Sequence, residues 1–266
     1  MVMVFRAPPT IALSLWRDII SPKEHGSWSL AFEPIVLSLL VAPSAAGTLL
    51  AAALAAGFFA RRPLRIARVE HRPERRAAAF WALSGCAGIA LVAFGGALVQ
   101  GGIAWLPWLL PLALAGGFFA YFDLRGAGRA AAAEVAGAAA FALAPAAVAA
   151  LAGWTPLEIV ALALVVLGRS VPSVLCVRAF LRAAKTGVRR DGAALVAASV
   201  ALAVAAVLVA HALAPFFAVV VMVGFTVRAF ALLVVIRPAW RARSVGMMEA
   251  ILGLVFVAGV ALAWGG

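Results

Sequence analysis

Charge is scarce in this chain, and acid scarcer still. Only 12% of its 266 residues are charged, with 22 Lys+Arg against 10 Asp+Glu. A soluble fold of this length needs far more polar surface, so the composition excludes the soluble globular class. Cysteine is nearly absent too. Cys86 and Cys176 stand in different apolar stretches without a CxxC spacing or a neighbouring histidine. That excludes a disulfide framework and a cysteine metal site, and reads as two buried small apolar residues. No P-loop, GxSxG or HExxH occurs, so the familiar carriers of nucleotide, serine-hydrolase and zincin chemistry are missing.

What the chain does have is hydrophobic length: 66% of residues are hydrophobic. Nine apolar stretches, roughly 27–42, 45–60, 77–98, 103–122, 130–152, 157–180, 192–213, 214–236 and 245–264, alternate with short connectors. Crossing the hydrocarbon core takes about twenty helical residues. The expected fold is therefore all-α, a polytopic membrane bundle of about nine helices, with the two short first spans forming a tight hairpin at Pro43–Ser44. The connectors alternate in charge. Lys and Arg number three in the N-terminal segment, seven in 61–76, two in 123–129, five in 178–191 and three in 237–243, while the intervening connectors carry none. By the positive-inside rule the N-terminus is cytoplasmic and the C-terminus outside. The net charge of +12 is thus confined to helix-connecting turns. It points to the bilayer and its anionic headgroups as partners, not to nucleic acid. No protein partner is readable.

Residues 1–22 lack the pattern of a signal peptide. Leu13, Trp16, Ile19 and Ile20 recur at helical spacing, so a short helix in the cytoplasmic interface is expected there, followed by one transmembrane domain over 23–266. Trp105, Trp108, Trp154 and Trp264 cluster near the outer ends, where indoles favour the interface. Gly and Ala crowd the fifth and seventh spans, which predicts central packing for both. The string Gly57-Phe58-Phe59-Ala60 recurs as Gly117-Phe118-Phe119-Ala120.

Six ionisable residues fall inside spans: Glu33, Glu134, Arg169, His211, Arg228 and Glu249. Such groups are costly in lipid, face the bundle interior and are functional candidates. Five lie at or below the midplane on the cytoplasmic side; Arg228, for example, is eight residues in, roughly 12 Å deep at the helical rise. They predict a polar cavity open to the cytoplasm with ion pairs in its walls, against the alternative of packing pairs alone. His211, near the outer face, reads as a hydrogen-bonded interfacial histidine. Just before the first span, Lys23, Glu24, His25 and Trp28 stand in Ser21-Pro22-Lys23-Glu24-His25-Gly26-Ser27-Trp28. Helix N-terminal amides there favour an anion and His25 is suited to proton exchange near neutral pH.

The string Pro22-Lys23-Glu24-His25-Gly26-Ser27-Trp28 resembles the N-terminal signature of the YwiC-like family of bacterial membrane proteins. Arg129 with Glu134-Val135-Ala136-Gly137, Pro172-Ser173-Val174 with Val177-Arg178 and Arg182, and Arg228-Ala229 extend the likeness. It implies the bacterial inner membrane but carries no established activity. More distantly the chain is similar to the UbiA superfamily of intramembrane prenyltransferases, whose nine helices carry Asp-rich motifs after helices two and six. That likeness implies a cytoplasm-facing pocket for an isoprenoid phosphate, held there by Mg²⁺. The corresponding connectors here depart from the pattern: Glu70 and Glu74, with Pro73 between, in the first, and Asp191 in the second. Around them stand Arg61, Arg62, Arg65, Arg182, Arg189 and Arg190. A Mg²⁺ site wants converging carboxylates, so this set reads more as a direct anion clamp, with Mg²⁺ on Glu70, Glu74 and Asp191 as the alternative that the likeness implies.

Three functions follow. The first is a UbiA-like binder or intramembrane transferase for an anionic, phosphorylated or isoprenoid-type lipid, its pocket lined by Glu134, Arg169, Arg178, Arg228 and Glu249. The second is a transporter, for which buried charge pairs are equally natural. The third is a non-catalytic accessory factor of a membrane complex.

Overall fold

The computed structural model describes residues 13–20, 25–188, 192–235 and 242–265. The described residues form helices and no strand. A short helix, α1 (Leu13–Ile20), is followed by α2 (His25–Val41), α3 (Ala45–Val69), α4 (Pro73–Gly101), α5 (Leu110–Leu124), α6 (Ala131–Ala142), α7 (Ala144–Leu151), α8 (Pro156–Thr186), α9 (Gly192–Ala210), α10 (Phe216–Phe230) and α11 (Ala242–Gly265). Each of the nine expected spans falls on helix. Seven of these stretches are long and apolar enough to cross a membrane. The other two are α2, whose apolar part is only Trp28–Val41, and α3, whose last nine residues carry four arginines.

α8 is the axis of the bundle. Of its apolar stretch 67% is buried, against 22% for α9 and none for Leu106–Leu124. Its start is set by a capping box, in which Glu158 accepts from the Thr155 backbone N–H at 2.9 Å and the Thr155 side chain accepts from the third helical N–H. Gly187, at φ 71°, ends it in the left-handed conformation that glycine adopts without strain. Around the half of α8 nearer Pro156 lies the main core, including Leu162, Val165, Val166, Met222, Phe256 and Val260. The expectation that both small-residue spans are central holds for α6–α7 and fails for α9. Only the stripe Ala194, Ala198, Ala201, Ala205 and Leu208 of α9 is buried; small apolar side chains permit close approach without demanding it, and the remaining Val and Ala are equally at home in lipid.

The fifth span is broken at Leu143, where Pro145 cannot supply the N–H that would continue the ladder. α10 ends in a π-helical turn, Ala231–Val235, just beyond Arg228. The tight α2–α3 hairpin is not what forms. Ser44 caps α3 by accepting from the Gly47 N–H at 3.0 Å, but α2 packs mainly on α11, α6 and α7, while α3 pairs with α4. α1 lies across that α3–α4 pair. Its Ile19 is wholly buried against Ala67, Ala78, Ala79 and Ala82, and Asp18 bridges Arg62 at 3.2 Å and Arg75 at 2.6 Å.

Candidate functional site

Four span charges meet in the middle of the bundle. Arg169, on α8, is 1% exposed. Its Nη1 lies 3.2 Å from Oε2 of Glu249 on α11, and its Nη2 donates to the backbone carbonyl of Glu249 at 3.0 Å. Nη2 also stands 3.4 Å from Oε2 of Glu33 on α2, and Nη1 donates to Ser173 one turn along α8. Arg228 pairs with the other Glu249 oxygen, and Ser29 donates to Glu33. The Phe225 ring takes both guanidinium carbons on its π system, Arg169 at 4.6 Å and Arg228 at 5.6 Å from its centre. Two positive and two negative charges cancel, as burial in a low-dielectric interior requires. Gly253 of α11 leaves the room that the Glu33 carboxylate occupies, and a Cβ there would push that carboxylate from its place.

Beside this quartet a cavity of about 1520 Å³ opens among α2, α3, α5, α6, α8 and α11. Its walls change character along its length. Toward the ends of α3, α5 and α8 that carry the basic connectors, it is lined by Arg61, Arg65, Arg68, Arg178, Arg182 and Lys185. Farther in, the α3, α5 and α6 walls are apolar, with Leu54, Phe58, Leu112, Phe119 and Phe141. On the α8 and α11 side the lining reaches Arg169, Ser173 and Glu249 of the quartet. Two ion pairs brace the charged part. Arg61 forms a two-pronged fork to Asp123, Nε to Oδ2 and Nη2 to Oδ1, each 3.0 Å, and its Cζ stacks 4.5 Å above Phe119. Gly128 leaves the room that the Asp123 carboxylate occupies. Arg178 pairs with Glu134 and donates to the Arg129 carbonyl at 3.0 Å. Among the described residues Arg65, Arg68, Arg182 and Lys185 make no ion pair, and all four are exposed.

The expected site residues distribute as follows. Arg169, Arg178, Glu134 and Glu249 line the cavity with Arg61, Arg65 and Arg182. Arg228 stands behind Glu249 and does not line it. Trp28 packs into an aromatic cluster with Phe32, Phe58 and Phe59, ring centres 5.4–5.9 Å apart. Arg62 turns away to Asp18. Glu70 pairs with Arg75 at 3.3 Å and Glu74 is exposed; among the described residues no three His, Cys, Asp or Glu side chains converge to hold a metal. Lys23, Glu24, Arg189, Arg190 and Asp191 lie outside the described residues, as does the side chain of His25. His211 is exposed at the tryptophan end, where Trp154 and Trp264 approach to 6.0 Å. Sequence reasoning missed Asp123, Phe225 and Gly253. Asp123 had a signal: it is the sole acid of its connector, directly after an aromatic run.

Fold and cavity together define a multi-pass helical membrane protein with a charged-to-apolar internal cavity. Residues 21–150 match the model of a protein family described as YwiC-like protein, so the segment that begins with the Pro22–Trp28 signature and runs to the end of α7 is YwiC-like. No curated protein matches the chain, and no solved structure does. Arg169, Arg228 and Glu249 lie beyond the matched segment.

Proposed function

We propose that the protein binds an anionic amphiphile, a phosphorylated or isoprenoid-type lipid, with its headgroup at the basic end of the cavity and its chain along the apolar walls. The observation that carries this reading is the imbalance of the lining. Among the described residues eight cationic side chains line the cavity against three carboxylates, and four of those cations make no ion pair with another described residue. Arginine binds phosphate oxygens directly through its planar fork, so the headgroup is neutralised without a metal. The volume exceeds the roughly 300–1,000 Å³ of drug-sized pockets and suits a longer chain. The reading keeps the ligand class that a UbiA-like likeness implies and dispenses with the acidic Mg²⁺ site. It places the basic end in the cytoplasm of a bacterial cell and the tryptophan end outside the plasma membrane.

The test is native mass spectrometry of the detergent-purified protein, with lipid extraction, on wild type and on Arg65→Ala/Arg182→Ala/Lys185→Ala. A phosphorylated lipid held by wild type and depleted at least about tenfold in the triple variant is expected. Bulk phospholipid alone, in equal amount on both, would refute the reading.

A further inference from the structure

The two copies of the Gly-Phe-Phe-Ala string sit differently. Gly57 lines the cavity, one helical turn inward of Arg61, and a Cβ built on it meets nothing within 4 Å. Gly117 is equally open, with nothing within 4 Å, but it does not line the cavity. Gly246 lines the cavity and is equally open, but it stands near the start of α11 and not on the apolar α3, α5 and α6 walls, where Gly137 is closed by packing and Gly116 makes an ordinary contact. A Cβ at Gly137 would come within 3.0 Å of the Phe119 ring, and one at Gly116 would touch Ala140 at 3.8 Å. Gly57 therefore has no helix neighbour that requires its missing side chain. A glycine in a helix interior costs stability relative to alanine, and what its absence of side chain leaves clear is cavity space. The position is where charged wall gives way to apolar wall. Arg61 is locked one turn toward the mouth by Asp123 and Phe119, and Ala53 continues the lining one turn farther in.

We infer that Gly57 is the specificity-determining residue of the cavity, setting how long an apolar chain can pass the Arg61–Asp123 level and run along α3 toward Ala53. The inference rests on the amphiphile reading above and deepens it. A short-chain ligand ends before position 57, and a long-chain ligand must cross it. A leucine there fills space that the longer chain needs, and each displaced methylene forfeits its burial.

Octyl phosphate and hexadecyl phosphate are the probes, titrated by native mass spectrometry onto wild type, Gly57→Ala, Gly57→Leu and Gly117→Leu. Gly57→Leu is expected to weaken hexadecyl phosphate by at least about tenfold while octyl phosphate stays within about twofold. Gly57→Ala should lie between, and Gly117→Leu should change neither. A thermal midpoint for Gly57→Leu at or above that of wild type shows that the variant folds. Equal weakening of both probes by Gly57→Leu, no weakening of either, or the same selectivity in Gly117→Leu overturns the inference and leaves the amphiphile reading standing. Failure of wild type to hold either phosphate overturns the amphiphile reading, and this one with it.

Discussion

Arg169 could not stand where it does alone. A guanidinium 1% exposed in the middle of a bundle forfeits its hydration, and the fold compensates with Glu249, Glu33, Ser173 and the Phe225 face at once. Taking one charge from such a set leaves its partners buried and uncompensated, which costs about 3–5 kcal/mol. Arg169→Met should therefore lower the thermal unfolding midpoint in detergent sharply. Glu33 suffers most, since Glu249 keeps Arg228 while among the described residues Glu33 keeps only Ser29. Adding Glu33→Gln to Arg169→Met should restore part of the loss; no recovery in the double variant would mean that the two side chains are not coupled. Gly253→Ala makes a matching case. Alanine ordinarily favours a helix, but here its Cβ would displace the Glu33 carboxylate, so the variant should be less stable than wild type, and a gain in midpoint would contradict the contact. The sequence marks these residues as costly and places them at comparable depth. It does not show that Arg169 and Glu249, eighty residues apart in the chain, are partners, because pairing depends on which helices touch.

At the scale of elements, α8 owes its central place to what it carries. Its buried polar residues Arg169, Ser170 and Ser173 have to face protein, and this fixes the orientation of the whole helix. α9, with no such residue, is left with one buried stripe. The start of α8 is set by its cap, and Thr155→Ala should cost about 0.5–2 kcal/mol, read as a lower unfolding midpoint that Thr155→Ser largely restores. α1 shows how an amphipathic segment finds its surface. The expected short helix forms, and its apolar side is spent on the α3–α4 pair through Ile19, with Asp18 as a charged bracket. Ile19→Asp puts a carboxylate into that contact. Limited proteolysis should then cut the N-terminal segment faster while the rest of the bundle stays resistant; unchanged cleavage would show that α1 is held by other means.

For the whole molecule, the arrangement of charge is the main organising fact. The basic connectors gather at one end and Trp105, Trp108, Trp154 and Trp264 at the other, and Arg65, Arg68, Arg182 and Lys185 of the cavity lining stand toward the basic end. With Cys86→Ala/Cys176→Ala as background, Ala127→Cys and Ala104→Cys should react from opposite sides of intact cells, the first only after permeabilisation and the second directly, by a membrane-impermeant maleimide. Labelling in the reverse order would invert the proposed orientation. The sequence alone determined that this is a helical membrane protein, where its apolar stretches begin and end, and which connectors are basic, because in lipid each helix satisfies its own backbone and hydropathy is a local property. The tertiary structure decided which helix is the axis, that Glu33, Arg169, Arg228 and Glu249 form one neutral set, that Asp123 locks Arg61, and that of the glycines opening the two identical Gly-Phe-Phe-Ala strings Gly57 lines the cavity and Gly117 does not. Those are contacts between helices distant in the chain, made by side-chain shape and charge across interfaces that no local pattern records.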